Sequence, residues 1–136
     1  MNALIIGSGG REHAMAWKLA KSETIGKVFV APGNAGTHLE YHTENIDIKE
    51  TEIQKLADFA ADKNNRIKFT IVGPEAPLAA GIVDEFRSRG LHIFGPTKAA
   101  ARLESSKEFA KKFMQKYPKK WEKLGVFHAS TQFATF

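Results

Sequence analysis

Residues 3–14 read ALIIGSGGREHA, and the reading of this stretch sets the fold. Ala3 to Ile6 is an apolar run of strand length, and the glycines behind it turn the chain into a helix. A strand that leads through a glycine turn into a helix outlines a phosphate-binding loop, because the first amides of a helix have no internal partner and can face an anion. The turn is not a complete dinucleotide fingerprint. That pattern is G-x-G-x-x-G; Gly7 and Gly9 supply its first two positions, but Glu12 stands at the third, where glycine ordinarily permits close helix–strand packing. No Gly-Lys-Ser/Thr follows, so the turn is not a P-loop either. Two readings stay open. The amides can receive a small phosphorylated ligand, with Arg11 forking onto it, or this is a plain strand–helix turn in which Glu12 meets the helix dipole favourably and His13 merely follows.

Outward from that turn, strand-like runs alternate with helical periodicity. Helix formers fill Glu12 to Lys21, and Lys27 to Ala31 (KVFVA) reads as a second strand, followed by a loop, PGNAGT. Ile46 to Ile48 is the expected third strand. Thr51 to Lys63 places Ile53, Leu56, Ala57 and Ala60 on one helical face. Phe69 to Val72 is a further buried strand, and Leu78 to Arg89 a helix with Ile82, Val83 and Phe86 inward and Gly90 at its stop. Strand Leu91 to Phe94 and a brief helix Thr97 to Leu103 follow. Ser105 and Glu108 have capping-box spacing for a last helix. Such alternation predicts an α/β fold, a parallel sheet of four or five strands with helices on both faces. Ligands bind such sheets at the carboxyl ends of the strands. The loops GSGGREH, PGNAGT, GPEAPL and GPT each follow a strand directly, so all of them should meet on one rim.

Composition narrows the function classes. The chain has 136 residues, 43% hydrophobic and 26% charged, which suits a folded domain. It contains no cysteine, which excludes disulfides and thiolate chemistry. No run is long and apolar enough for a bilayer, and the first residues lack the layout of a secretory signal, so no membrane and a cytoplasmic location are expected. The net charge of +5 does not point to nucleic acid. Residues 1–106 hold 13 Lys/Arg and 13 Asp/Glu, whereas residues 107–136 hold seven lysines against Glu108 and Glu122. Those lysines have no arginine among them, and Phe109, Phe113 and Tyr117 recur at helical spacing, as for a solvated helix with its aromatics toward a core.

The other loops leave alternatives open. In GPEAPL, Pro74 and Pro77 stiffen the backbone and withhold donors, while Glu75 is held out at a strand end. It could accept a hydrogen bond from a ligand amine or hydroxyl, or simply be an exposed residue of a rigid turn. Asn34 and Thr37 in PGNAGT could contact a ligand or serve as turn residues.

Four stretches, IIGSGGREHAMAWKLA, VFVAPGNAGT, TIVGPEAPLAAGIVDEFRSRGLHIFGPT and AARLESSKEFAKKFM, in this order and spacing, resemble the amino-terminal domain of the phosphoribosylamine–glycine ligase family, also called glycinamide ribonucleotide synthetases. GGREHA together with GPEAPL is highly specific to that family. The resemblance covers residues 1 to about 117. It implies a Rossmann-like (pre-ATP-grasp) substrate domain over 1–104, with a helix and an atypical tail over 105–136 leading toward an ATP-grasp domain. The implied activity is an ATP-dependent carbon–nitrogen ligase of purine biosynthesis that joins glycine to 5-phosphoribosylamine, with ATP and Mg2+ as cofactors. Gly9, Gly10, Arg11, Glu12 and His13 with Pro74, Glu75 and Ala76 would form the phosphoribosylamine side of the cleft. Lys107, in SSKEF, resembles the family's lysine at the approach to the nucleotide, and from the residues alone it is equally a solvated lysine. After Tyr117 the chain reads PKKWEKLGVFHASTQFATF, which departs from the family. ATP and Mg2+ are therefore expected to bind mainly outside this chain, on an ATP-grasp domain it lacks, with no catalytic residue and no metal ligand here, no activity alone, and a monomer. The alternative is a non-catalytic module that holds a ribose phosphate or a dinucleotide.

Overall fold

The computed structural model describes residues 1–117; the tail with Trp121, Phe127, Phe133 and Phe136 lies outside the described residues. The chain divides into a unit spanning Met1–Ala101 and a second beginning at Arg102.

The first unit is built on five strands, β1 (Asn2–Gly7), β2 (Lys27–Pro32), β3 (Thr43–Asn45), β4 (Ile67–Val72) and β5 (Ile93–Phe94). They form one sheet in the order β3-β2-β1-β4-β5, and every pairing is parallel. Between them run α1 (Gly10–Ala20), α2 (Ala35–Leu39), α3 (Ile53–Ala61), α4 (Glu75–Ala80) and α5 (Ile82–Ser88), followed by α6 (Lys98–Ser105). This is the Rossmann-like α/β architecture that the alternation of strands and helices predicts.

β1 lies in the centre, and five of its six residues are buried. Its side chains alternate between two apolar clusters, as a strand covered on both faces requires. Leu4 and Ile6, with Phe29, Ala31 and Val72, meet Leu56, Ala57 and Ala60 of α3 and Ile82, Val83 and Phe86 of α5. Ile5, Val28 and Val30 meet Ala16, with Met15, Leu19 and Phe69 at the margin. Helices therefore cover both faces. On the first face Arg89 ties α3 to α5: its guanidinium donates to Asp58 at 2.5 Å and Glu85 at 2.6 Å, and also to Gln54. The Asp58 and Glu85 carboxylates hold that guanidinium above its ordinary range.

Several elements differ from the sequence expectation. The third strand is Thr43–Asn45, which pairs with Val28–Val30; Ile46 and Ile48 come just after it and pack their side chains into the core instead. PGNAGT contains the short helix α2, because Asn34 and Thr37 cap it reciprocally. The expected helix 78–89 begins earlier, at Glu75, and is broken at Gly81, whose φ of 99° only glycine adopts readily. Gly90 is the stop: its amide bonds Arg87 and that of Leu91 bonds Phe86, the paired closure of a helix end.

In the second unit, α7 (Lys107–Lys116) is capped by Ser106, which accepts from the Phe109 amide at 3.2 Å. The cap is one residue later than expected because Ser105 closes α6. Phe109, Phe113 and Tyr117 stack along α7 at 6.3 and 5.0 Å between ring centroids. No residue of α7 is fully buried; Phe109 and Phe113 are half-buried and Tyr117 is exposed.

Phe86 is fully buried and Phe94 is 77% exposed. Urea denaturation should therefore show a loss of about 3–5 kcal/mol for Phe86→Ala and less than about 0.5 kcal/mol for Phe94→Ala. Equal losses would contradict this placement of the core.

Candidate functional site

Because every pairing is parallel, the loops after β1, β2, β4 and β5 all leave the same edge of the sheet. Strand order reverses at β1: the chain moves from β1 to β2 and β3 on one side, then crosses to β4 and β5 on the other. Open α/β sheets bind ligands in the crevice at such a reversal, between the two loops that part there. In this chain those loops are GSGG after β1 and GPEA after β4.

Glu12 occupies the space between them. It lies in the first turn of α1 and is only 5% exposed. One carboxylate oxygen accepts from the Gly9 amide at 2.8 Å and the other from Arg11 Nε at 3.2 Å. The N-cap, Gly9, has no side chain, so Glu12 supplies from inside the helix the reach-back half of a capping box. Its side chain needs room that only glycines leave. A Cβ at Gly73 would stand 1.9 Å from its Oε1, one at Gly7 2.6 Å from its Cγ, and one at Gly9 2.8 Å from its Oε2. Arg11 reaches across the crevice and donates from Nη2 to the Gly73 carbonyl at 2.5 Å, and Pro74 lies against Gly7. The two loops are thus held together by one buried carboxylate, one guanidinium and a proline ring.

The expected site residues separate into those that brace and those that face outward. Gly9, Gly10 and Arg11 are exposed at the start of α1, and a Cβ at Gly10 would meet nothing within 4 Å. The amides of Gly10, Arg11 and Glu12 belong to the first turn and have no intrahelical carbonyl. Glu75 and Ala76 are exposed at the start of α4, beside half-buried Pro74. His13 turns away from this crevice toward α2: its Nε2 lies 2.8 Å from Glu40 Oε1, and its ring rests against Gly36. Asn34 and Thr37 are occupied locally. Asn34 donates to the Ser8 carbonyl at 2.8 Å and accepts from the Thr37 amide at 3.0 Å, while the buried Thr37 hydroxyl donates to Asn45 at 2.7 Å. These contacts fix the third wall of the rim and favour the turn reading of PGNAGT. Lys107 is exposed in the second unit, at the start of α7.

Sequence reasoning did not single out Gly73, Glu40 or Asn45. Gly73 had a signal: it stands directly after an apolar strand and before Pro74, where a side chain would be expected unless something else needs the space. Glu40 and Asn45 had none, since their roles depend on tertiary contacts. Among the described residues no group of three or more acidic, histidine or cysteine side chains could hold a metal ion, and no helix is long and apolar enough to cross a membrane.

Residues 1–104 match the family described as phosphoribosylglycinamide synthetase, N domain. The chain belongs to this family. It is similar to the phosphoribosylamine–glycine ligases of Haemophilus influenzae, 62% identical over 117 residues, and Neisseria meningitidis serogroup B, 63% identical; each alignment covers 86% of this chain and 27% of the relative. The crystal structure of phosphoribosylamine–glycine ligase from Thermotoga maritima is 33% identical, with a TM-score of 0.58 over 87% of this chain and 25% of that one. The chain thus spans about a quarter of the length of these relatives.

The glycine cradle gives a direct check on this N domain. Gly73→Ala would force the Glu12 carboxylate off the Gly9 amide and Arg11, and should lower unfolding stability by about 1.5–3 kcal/mol, the loss of a hydrogen bond to a charged group. Gly10→Ala, in open space within a helix, should be neutral or stabilising by up to about 0.5 kcal/mol. Urea titration of both variants tests the contrast, and a Gly73→Ala protein as stable as the parent would disprove the cradle.

Proposed function

We propose that this chain is the amino-terminal part of an ATP-dependent ligase that joins glycine to 5-phosphoribosylamine, forming glycinamide ribonucleotide in purine biosynthesis in the cytoplasm. The observation that carries this reading is the pairing of an open glycine turn, at Gly10 and Arg11, with the GPEA loop across the strand-order reversal, in a chain whose relatives bear that enzyme's name. Residues 1–104 would be the substrate domain, and residues from 105 onward would lead to the ATP-grasp domain. The protein would act as a monomer, without membrane or nucleic acid.

The phosphate of 5-phosphoribosylamine would sit on the amides of Gly10 and Arg11, where partial positive charge at the helix start favours it. Arg11 would add a charge-assisted hydrogen bond. Two of its nitrogens already serve Glu12 and Gly73, so a third is offered, or the Gly73 contact is exchanged. Glu75, exposed on the rim, would accept from the ribose hydroxyls or the amine across it. Gly9, Glu12, His13, Pro74 and Ala76 would shape this pocket, Glu12 and His13 from behind it.

In the reaction, a γ-phosphoryl group passes from ATP to the glycine carboxylate, releasing ADP. The amine then attacks the resulting acyl phosphate, forming the amide and releasing phosphate. Positioning provides most of the acceleration in such transfers. The described residues offer no metal-holding cluster. Nucleotide and magnesium would be held by the remaining length of the protein, with Lys107 as a point charge at the nucleotide's approach.

Ribose 5-phosphate, a stable stand-in for the labile amine, should bind the chain at about millimolar, near −4 kcal/mol, in low salt. NMR shifts should cluster on Gly9 to His13. Arg11→Ala should weaken binding by about 1.5 kcal/mol, the lower end of the range for a hydrogen bond to a charged group. Arg66→Ala, at the opposite edge just before β4, should change little. Shifts centred elsewhere would defeat the reading. Purified chain should also give no glycine-dependent ADP release; turnover, with full-length enzyme excluded by mass spectrometry, would show that the catalytic parts lie within these 136 residues.

A further inference from the structure

We propose that Glu12 is a specificity residue: its carboxylate is an internal anion that fills the path a pyrophosphate would take over the first turn, and it confines the ligand to a single phosphate on the Gly10–Arg11 flank. The inference rests on the phosphate-turn reading above and adds what that turn rejects.

The fold and the first two glycines of the turn are those of a dinucleotide site. In such sites the glycines let a pyrophosphate approach the backbone, and the helix start supplies the donors. In this chain the same space is taken. The carboxylate stands over Gly7, Gly9 and Gly73, closer to each than a Cβ could tolerate. It has captured the amide of the N-cap, Gly9, at 2.8 Å, and it is 5% exposed, so a ligand cannot displace it by simple sliding. A dinucleotide would meet occupied volume, a missing donor and a like charge together. Rejection of one ligand class by placing a filled and charged group in its path is an established route to specificity. On the other flank Gly10 and Arg11 are exposed, and their amides have no intrahelical carbonyl, so a single phosphate can still reach them.

Parallel NMR titrations of the whole chain with ribose 5-phosphate and NADH test this. In the parent protein NADH should bind at least about tenfold more weakly than ribose 5-phosphate, a gap of roughly 1.4 kcal/mol. Glu12→Gly restores the third glycine and should tighten NADH by about tenfold or more, whatever loosening of the turn it brings to ribose 5-phosphate. Glu12→Gln keeps the bulk and the acceptor for Gly9 and removes only the charge, so it should relax the exclusion of NADH by no more than about threefold. A folded Glu12→Gly protein with unchanged NADH affinity would overturn the proposal, and so would Glu12→Gln admitting NADH. If Glu12→Gly does not fold, the other two titrations decide: NADH within about threefold of ribose 5-phosphate on either protein overturns it. Failure of ribose 5-phosphate to bind the parent turn would instead sink the phosphoribosylamine reading, and the effect of Glu12→Gly on NADH would still judge Glu12.

Discussion

An ionised carboxylate taken out of water costs several kcal/mol unless donors replace the lost hydration. Glu12 meets that condition through the Gly9 amide and the Arg11 guanidinium, in the crevice between the loops after β1 and β4. The backbone ladder reaches as far as the Gly73 amide, which donates to the Ile6 carbonyl at 3.0 Å, and beyond it the loops after β1 and β4 part and leave a gap. The carboxylate closes it from one side and Arg11 from the other, by way of the Gly73 carbonyl. The glycine positions around the crevice follow from this single group. The anion turn is therefore held in shape before any ligand arrives, and preorganisation of this kind lowers the ordering cost of binding.

Much of this fold could be read from the sequence, and what could not has physical causes. β1 and β2 are buried on both faces, so Ala3–Ile6 and Val28–Ala31 are continuous apolar runs, whereas the run of β4 is interrupted by exposed Lys68 and by Thr70. β3 is an edge strand, and its residues Thr43, Glu44 and Asn45 have no apolar signal; the neighbouring Ile46 and Ile48 supplied one because they are buried without belonging to the ladder. The break at Gly81 was hidden because the inward positions Ile82, Val83 and Phe86 satisfy helical periodicity on their own. α2 was hidden because Asn34 and Thr37 are equally good as turn residues and as caps.

For the site, the distinction is between local and distant partners. The glycine turn, Arg11 and Glu75 announce themselves through residue type and position. Glu12 presented itself as an interruption of a known pattern. Its meaning depends on Gly73, 61 positions away, with no side chain to mark the contact. His13 is placed with the turn by the family resemblance, and its ring lies beside α2, with Nε2 2.8 Å from Oε1 of Glu40, the residue that caps α2. A run of consecutive residues at a helix start faces several directions, so contiguity in a motif overstates contiguity in space.

The position of β1 also governs how the chain can be assembled during synthesis. Of the five strands the first in sequence is the central one, and its second neighbour is β4, whose register with it joins Asn2 to Ile67 and Ile6 to Val72. Until about residue 72 has left the ribosome, β1 has at most one strand partner. Closing so long a loop before the pairing is gained slows folding and leaves apolar surface open to other chains in the meantime. An emerging chain of this protein thus passes through a stage in which its central strand is paired on one side only, which ends once β4 has appeared.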